Sequence, residues 1–255
     1  MRRWLARPDG QLAYLSVGTG RPVTLFAHGL GGCAADTRPF ATGLPGTRVL
    51  AELRGHAVST LTGPLGYQAV AADLRALADH VGADRALGVS LGAGALGRIL
   101  AEQPDRFERV ALVLPAAFDR PSPGERLPAL AAAAAGGDTG ALATALLTAQ
   151  PGELRGHPAL TAWATGRATV LAGPEFAAAV HALRTQAPVP DPAALADCRA
   201  RVLVIAQDGD EAHPVAAAEA LTAAVPGATL KVFGPGGLLV RHRAAVRELL
   251  VDFLV

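Results

Sequence analysis

The sequence is poor in cysteine, with only Cys33 and Cys198 among its 255 residues. Two cysteines provide no disulfide framework, which disfavours a small secreted domain held together by disulfides. Long apolar runs are also missing, and none approaches the roughly 20 residues that a membrane span needs. The arginines at the N-terminus are not followed by an apolar segment of signal-peptide type. We therefore expect a cytoplasmic protein.

An excess of charge of one sign is missing too. The 23 Lys+Arg balance 22 Asp+Glu, and no basic stripe stands out, which disfavours nucleic acid as a partner. The ligand spacing of common metal sites and the lysine-containing phosphate loop do not occur. Residues 92–97 match Gly-x-Gly-x-x-Gly, but the acidic residue that a dinucleotide site needs on its second strand is absent. We expect no cofactor, and a small molecule as the partner, with neither nucleic acid nor membrane.

Hydrophobic residues are abundant, at 51% of the chain, and short apolar runs alternate with longer segments of helical spacing. This alternation is typical of an α/β fold with a mostly parallel sheet covered by helices. The predicted strands are 12–17, 23–27, 48–52, 85–89, 110–114, 202–206 and 229–233. The predicted helices outside the middle of the chain are 67–81, 92–103 and 243–254.

The pattern changes between residues 119 and 198, where alanine and leucine recur at helical spacing without strong β-branched runs. About 80 residues could fold alone only marginally. We interpret 119–198 as a helical cap inserted between core strands, and 1–118 with 199–255 as a single core. The apolar side chains that we expect to line or fill the cap favour an apolar substrate; they are Leu130, Leu142, Leu146, Trp163, Leu171, Phe176 and Val180.

A Gly-x-Ser-x-Gly sequence centred on Ser90 lies where a predicted strand gives way to a predicted helix. A sharp turn there forces the central residue into strained backbone space, and Gly88 and Gly92 avoid Cβ clashes. The turn lifts the serine hydroxyl beside the free N–H groups of a helix start, which favour developing negative charge. In this context the motif predicts a nucleophilic serine. The alternative is a glycine-rich turn whose serine has no role.

A second glycine-rich loop, 28–32, follows the strand predicted at 23–27. Such a loop can aim a backbone N–H into the pocket, and two N–H groups can stabilise a tetrahedral oxyanion. We assign the two donors to Leu30 and Leu91, with Gly29 as part of the substrate-binding loop. His28 is interpreted as a residue that fixes this loop and not as a base.

Three motifs together resemble the α/β-hydrolase family in their chain order: His28-Gly29, Arg54-Gly55-His56 and the Ser90 turn. The resemblance covers nearly the whole chain, and it implies an eight-stranded, mostly parallel sheet with a helical cap. It also implies a triad in the order serine, acid, histidine. Two positions depart from the family pattern, because Glu52 stands where aspartate is usual and Ala57 where glycine is usual. We expect these departures to affect loop structure more than chemistry.

The resemblance places the acid after the strand predicted at 202–206, four residues before a proline. Asp210 fits this pattern, since Pro214 follows it by four residues. Asp208 is an alternative that could instead serve the turn, and Asp119, after the preceding strand, is another. The acid would fix the tautomer of the histidine and stabilise the imidazolium.

The family's histidine would follow the last strand, near residues 236–238, but this chain has Gly, Gly and Leu there. His242 is the nearest substitute, although it would lie about one helical turn, roughly 5–6 Å, from the expected position. His213, three residues after Asp210, is the second substitute. An alternative for each is a loop histidine without a catalytic role.

Three functions remain open at this point. The first is a hydrolase of carboxylesterase type that cleaves an ester, thioester or related acyl bond of a small apolar substrate through an acyl-enzyme at Ser90. The second is a lyase or cyclase on the same scaffold with an incomplete triad, suggested by the missing loop histidine. The third is a non-catalytic protein that binds a small molecule.

Overall fold

The computed structural model describes residues 1–122, 127–150 and 152–255. The strands are β1 (Arg2–Arg7), β2 (Gly10–Val17), β3 (Val23–Ala27), β4 (Thr47–Ala51), β5 (Arg85–Val89), β6 (Arg109–Val113), β7 (Arg201–Gln207) and β8 (Thr229–Phe233). The helices are α1 (Ala34–Ala41), α2 (Tyr67–Val81), α3 (Leu91–Glu102), α4 (Leu127–Ala135), α5 (Thr139–Thr148), α6 (Pro158–Leu171), α7 (Pro174–Leu183), α8 (Val215–Ala224) and α9 (Arg243–Leu254).

The strands form one sheet in the order β1-β2-β4-β3-β5-β6-β7-β8. β2 runs antiparallel to both of its neighbours, and the remaining pairs are parallel. This confirms the predicted fold class, a mostly parallel eight-stranded sheet flanked by helices. Because β5, β6 and β7 are parallel neighbours, the loops that follow them meet at one edge of the sheet.

The two faces of the sheet are covered by different helices. Leu25 faces a core that includes residues of α2, α3 and α8, whereas the next residue, Phe26, faces a core built with α1 and α9. Such alternation along a strand buried on both faces explains the near-continuous apolar runs from which the central strands were predicted. None of the described helices is long and apolar enough to cross a membrane.

Three elements were missing from the sequence prediction. β1 lies at the sheet edge and contains three arginines. Charged residues protect an edge strand from pairing with other chains. They also interrupt the apolar run by which a strand is recognised in a sequence. α1 contains Pro39 within the helix, which argues against a helix in a sequence reading. α8 is alanine-rich and directly follows Pro214, and it was assigned to no element.

Helices α4 to α7 lie between β6 and β7, where the sequence pattern predicts helices. Leu142, Ala164 and Val180 are fully buried in a separate apolar cluster formed by these helices. Residues 123–126 and 151 of the predicted cap lie outside the described part of the chain. The division into a cap at 119–198 and a core formed by 1–118 and 199–255 stays a prediction.

Candidate active site

Ser90 occupies the junction between β5 and α3, at φ 51° and ψ −106°. This conformation is strained for a residue with a side chain. The close approach of the flanking backbone requires glycine on both sides. A Cβ on Gly88 would collide with the Gly92 carbonyl, and a Cβ on Gly92 would lie 2.5 Å from the Ala27 carbonyl oxygen. The local geometry therefore agrees with the sharp strand-to-helix turn inferred from the motif.

The structure brings Ser90, His213 and Asp210 together in one hydrogen-bonded chain. Ser90 Oγ lies 3.0 Å from His213 Nε2, and His213 Nδ1 lies 2.9 Å from Asp210 Oδ2. Asp210 and His213 belong to the turn between β7 and α8, in which the His213 N–H donates to the Asp210 carbonyl at 3.1 Å. The distances from Ser90 to His213 and from His213 to Asp210 lie within the hydrogen-bond reach that proton transfer requires.

The electrostatics favour an ionised carboxylate at Asp210. Burial raises the pKa of Asp210, but the hydrogen bond from His213 and those from the backbone N–H groups of Ala212 and His213 outweigh it, so the pKa lies below its ordinary value. A carboxylate at Oδ2 accepts the Nδ1–H of His213 and leaves Nε2 as an acceptor for the Ser90 hydroxyl. This tautomer suits a general base.

His242, the nearest substitute for the missing loop histidine, is not brought to Ser90. Its Nε2 lies 2.9 Å from the Gly234 carbonyl oxygen, and its ring packs against Phe233. The physical reason is that a π-helical turn, Gly237–Arg241, follows β8, and the chain enters it through Gly236 and Gly237, both at positive φ. This turn buries Leu238 and leaves His242 beside the end of β8. The ring of His242 therefore pairs with the backbone after β8, and the choice of the base between His213 and His242 stays a prediction.

The two alternative acids take part in other local contacts. Asp208 accepts the N–H of Gly209 at 2.9 Å, as expected of a turn residue. Asp119 pairs with the neighbouring Arg120 at 3.2 Å. Of the three candidate carboxylates, Asp210 is the one whose hydrogen bond reaches a histidine.

The two backbone N–H groups predicted to bind an oxyanion belong to segments beside Ser90. Leu91 is the first residue of α3, where no intrahelical acceptor exists for its N–H. The N–H of Leu30 donates to no acceptor in the described part of the chain. The loop that carries Leu30 approaches the serine closely, since a Cβ on Gly29 would lie 3.3 Å from Ser90 Cβ. The donors predicted from the sequence thus lie on two segments that meet at Ser90.

Two buried histidines hold the loop that contains Leu30. His28 Nδ1 lies 2.8 Å from the Gly29 carbonyl oxygen, and the Leu53 N–H donates to His28 Nε2. The Gly31 N–H donates to His56 Nε2 at 2.9 Å. Burial lowers the pKa of His28 to about 3, with His56 as a second cause, and burial also lowers the pKa of His56. Both rings are therefore neutral near pH 7 and can accept from backbone N–H groups.

The loop-fixing role expected of His28 agrees with these contacts, but no role was predicted for His56. In the sequence, the motif Arg54-Gly55-His56 contributes only to the family resemblance. The feature that gives His56 a role is the hydrogen bond that its ring accepts from the Gly31 N–H. That contact joins residues 25 positions apart, and no local pattern in the sequence predicts it.

The two departures from the family pattern have local structural consequences. Ala57 adopts φ 49°, in the left-handed region that favours glycine, so the alanine carries local strain. Glu52 is buried, and its Oε2 accepts the N–H of Ala34 at the start of α1 at 3.0 Å. Burial raises the pKa of Glu52, partly offset by that hydrogen bond. Both residues act on loop and helix-start geometry.

Apolar side chains of α6 and α7 lie close to the loop that contains Leu30. A Cβ on Gly31 would lie 2.9 Å from Leu171 Cδ1 and 3.3 Å from Phe176 Cζ. Leu30 packs against the same apolar cluster. The approach to the two free N–H groups is therefore bordered by hydrocarbon. Among the described residues, no group of three or more His, Cys, Asp or Glu side chains is arranged to hold a metal ion.

Comparison with known proteins identifies the family of this chain. The model of the "Alpha/beta hydrolase family" matches residues 21–249, which is most of the chain. No curated protein sequence matches significantly.

Solved structures with the same fold include an enol-lactonase and two esterases. An enol-lactonase from Burkholderia xenovorans has a TM-score of 0.84 at 23% identity, with 99% of each chain covered. An esterase from Exiguobacterium antarcticum has a TM-score of 0.83 at 18% identity, covering 100% of this chain and 99% of that one. A thermophilic esterase from Thermogutta terrifontis has a TM-score of 0.79 at 22% identity, covering 100% and 98%. At these identities the likeness establishes the shared fold.

Proposed function

Because the chain belongs to the alpha/beta hydrolase family, we propose that it is a serine hydrolase that cleaves an ester, thioester or related acyl bond through an acyl-enzyme at Ser90. The observation that carries this proposal is the hydrogen-bonded chain from Ser90 Oγ through His213 to Asp210. Esterases and an enol-lactonase among the proteins of the same fold are consistent with it.

In the proposed reaction, His213 Nε2 takes the proton of the Ser90 hydroxyl as Oγ attacks the acyl carbon. The carbonyl oxygen becomes an oxyanion that accepts the N–H groups of Leu30 and Leu91, and each such donor contributes about 2.7–4 kcal/mol. Asp210 stabilises the imidazolium and keeps its orientation. His213 then donates the proton to the leaving oxygen or sulfur, which leaves Ser90 acylated. Water, deprotonated by the same imidazole, attacks the acyl carbon. The imidazolium then returns the proton to Ser90 Oγ as the bond to the acyl carbon breaks, which releases the acid and the free serine.

We infer a small, apolar acyl group from the hydrocarbon around the oxyanion loop. The three atoms nearest to a Cβ placed on Gly31 belong to Leu171 and Phe176, and Leu30 packs against the same apolar cluster. An aliphatic acyl chain gains free energy by contact with such surfaces, at about 0.8 kcal/mol per buried methylene. The butyrate ester should therefore give a higher kcat/KM than the acetate ester.

The lyase or cyclase alternative rested on the histidine missing after the last strand. His213 supplies an imidazole at hydrogen-bond distance from Ser90, so nothing in the site favours that alternative. The same contact disfavours a non-catalytic binding protein. Binding a small molecule requires a pocket, but it does not require a strained serine that is hydrogen-bonded to an imidazole and a carboxylate.

The test is hydrolysis of p-nitrophenyl acetate and p-nitrophenyl butyrate by the wild type and by Ser90→Ala. We expect the substitution to lower kcat at least about 10³-fold, as removal of a triad member does in other serine hydrolases. Ser16→Ala, on β2 at a distance of three strands from β5, is the matched control and should retain full activity. Activity that survives in Ser90→Ala would contradict the acyl-enzyme at this serine.

A further inference from the structure

The direction of the Leu30 N–H is determined by the peptide that joins Gly29 to Leu30. A trans peptide is planar, and its C=O and N–H point in opposite directions. The Gly29 carbonyl accepts two hydrogen bonds, from His28 Nδ1 at 2.8 Å and from the Gly32 N–H at 3.0 Å. Holding this carbonyl on one side fixes the Leu30 N–H on the other.

The next peptide, which joins Leu30 to Gly31, is held by a different ring. Its N–H donates to His56 Nε2 at 2.9 Å, in a fully buried contact. The peptides on both sides of Leu30 therefore each bond to an imidazole. With both planes fixed, little rotation about the two backbone bonds of Leu30 remains.

His56 is in turn held from behind. Its Nδ1 lies 2.8 Å from the Arg54 carbonyl oxygen, which fixes the ring in the tautomer that leaves Nε2 as an acceptor. The Arg54 side chain bonds to Asp73 through Nε at 2.7 Å and through Nη2 at 3.1 Å, and to Asp9 at 3.1 Å. Arg54 and Asp73 are both buried. The ring of His56 is thus anchored to a rigid ion-pair network that includes helix α2.

We propose that His56 is a positioning residue for the hydrolytic reaction, which orients the oxyanion donor Leu30 through the hydrogen bond from the Gly31 N–H to Nε2. The inference rests on the proposed function. None of the hydrogen bonds of His56 reaches Ser90, so it acts only through the loop. An oxyanion donor contributes fully only when it is preorganised toward the charge that develops in the transition state. A ring that fixes the donor therefore affects kcat more than substrate binding.

The experiment compares His56→Leu with His56→Gln in the full-length protein. Leucine fills the space but accepts no hydrogen bond, whereas the glutamine Oε1 can accept the Gly31 N–H and its amide nitrogen can donate to the Arg54 carbonyl. We expect His56→Leu to lower kcat for p-nitrophenyl butyrate by about 10- to 100-fold with KM within about twofold, since a misdirected donor loses part of the 10²–10³-fold effect of a deleted one. His56→Gln should recover most of kcat.

A transition-state analogue provides a second measurement on the same variants. A trifluoromethyl ketone adds to Ser90 and presents an oxyanion to Leu30, so its inhibition constant should rise by the same factor by which kcat falls. The matched control is His80→Leu, an exposed histidine in the last turn of α2. It should change neither kcat nor the inhibition constant.

The outcomes separate this inference from the proposed function. Hydrolysis that persists in Ser90→Ala would overturn both. If Ser90→Ala abolishes hydrolysis while His56→Leu keeps kcat within twofold, the positioning role alone is wrong. The same holds if kcat falls as far in His56→Gln as in His56→Leu.

If His56→Leu does not fold, His56→Asn replaces it. The shorter amide cannot bridge Gly31 and Arg54, so a low kcat with unchanged KM supports the role, and a kcat equal to that of the wild type overturns it.

Discussion

Asp210 and His213 lie three residues apart in one turn, which sets their mutual geometry by local structure. The Asp210 carboxylate accepts the Ala212 N–H through Oδ1 and the His213 ring through Oδ2. The proposed acid and the proposed base thus form a compact Asp-x-x-His unit after β7. The hydrogen bond between His213 and Ser90 is not set by local structure. It joins residues more than 100 positions apart and depends on the pairing of β5, β6 and β7.

This distinction explains why the sequence could propose His213 but could not choose it. Asp210 was assigned as the acid from its place after a strand and before Pro214. His213 and His242 both lay near the expected edge of the sheet, and the choice between them depended on how the chain leaves β8. The positive φ of Gly236 and Gly237 and the π-helical turn that begins there are not encoded in any periodic pattern.

The buried His28 makes the stability of the protein depend on pH. Its pKa is about 3 in the folded state, against 6.5 for a solvated histidine. Between these values the unfolded chain binds a proton that the folded chain excludes, so the free energy of unfolding falls as the pH drops. The loss attributable to His28 approaches about 5 kcal/mol across this window, at about 1.4 kcal/mol per pH unit.

Urea unfolding of the wild type and His28→Gln at a series of pH values between 7 and 4 measures this dependence. Glutamine does not titrate, so the variant should lose less stability than the wild type as the pH falls. The comparison isolates His28 from Glu52, whose raised pKa acts in the opposite direction. Parallel pH profiles for the two proteins would show that His28 is not the group responsible.

At the scale of elements, α6 is tied to α1 by one ion pair. Arg167 Nη2 lies 2.8 Å and 3.0 Å from the two carboxylate oxygens of Asp36, and Asp36 Oδ2 also accepts the Cys33 N–H that begins α1. Asp36 therefore serves both as a helix-start acceptor and as the anchor for a helix of the predicted cap. Because α1 directly follows the loop of Leu30, this contact links α6 to the candidate active site.

Arg167→Met should weaken this link without removing its packing. Asp36 is about one-third exposed, with 37% of its side chain accessible, so we expect the pair to contribute about 0.2–1 kcal/mol. If this free energy is lost from substrate binding, the KM should rise by up to about fivefold, with kcat little changed. The measurement is the KM for p-nitrophenyl butyrate at low ionic strength.

The control for this prediction is Arg38→Met, which removes an exposed arginine of α1. Its KM should equal that of the wild type. In the wild type the KM should also rise with salt, because a partly exposed ion pair is screened. An Arg167→Met variant with unchanged KM at low salt would mean that the ion pair does not hold α6 over the site.

At the scale of the whole molecule, the sequence predicted the class of fold more completely than the site. Strands such as β5 and β8 match their predicted bounds, because burial on both faces produces apolar runs with clear ends. Elements whose stability comes from tertiary context, such as the arginine-rich β1, were not predicted. In the candidate site, Ser90 and Leu91 could be proposed from the sequence because strand, turn and helix are consecutive in the chain. The role of His56 was not, because it depends on a contact between loops.

The central claim is that His213, and not His242, activates Ser90. The most direct measurement is the rate at which a fluorophosphonate labels Ser90, followed by mass spectrometry, in His213→Gln and in the matched variant His242→Gln. We predict that His213→Gln labels at least about 10³-fold more slowly than the wild type, while His242→Gln stays within about twofold. Labelling that is fast in His213→Gln, or lost in His242→Gln, would contradict the account.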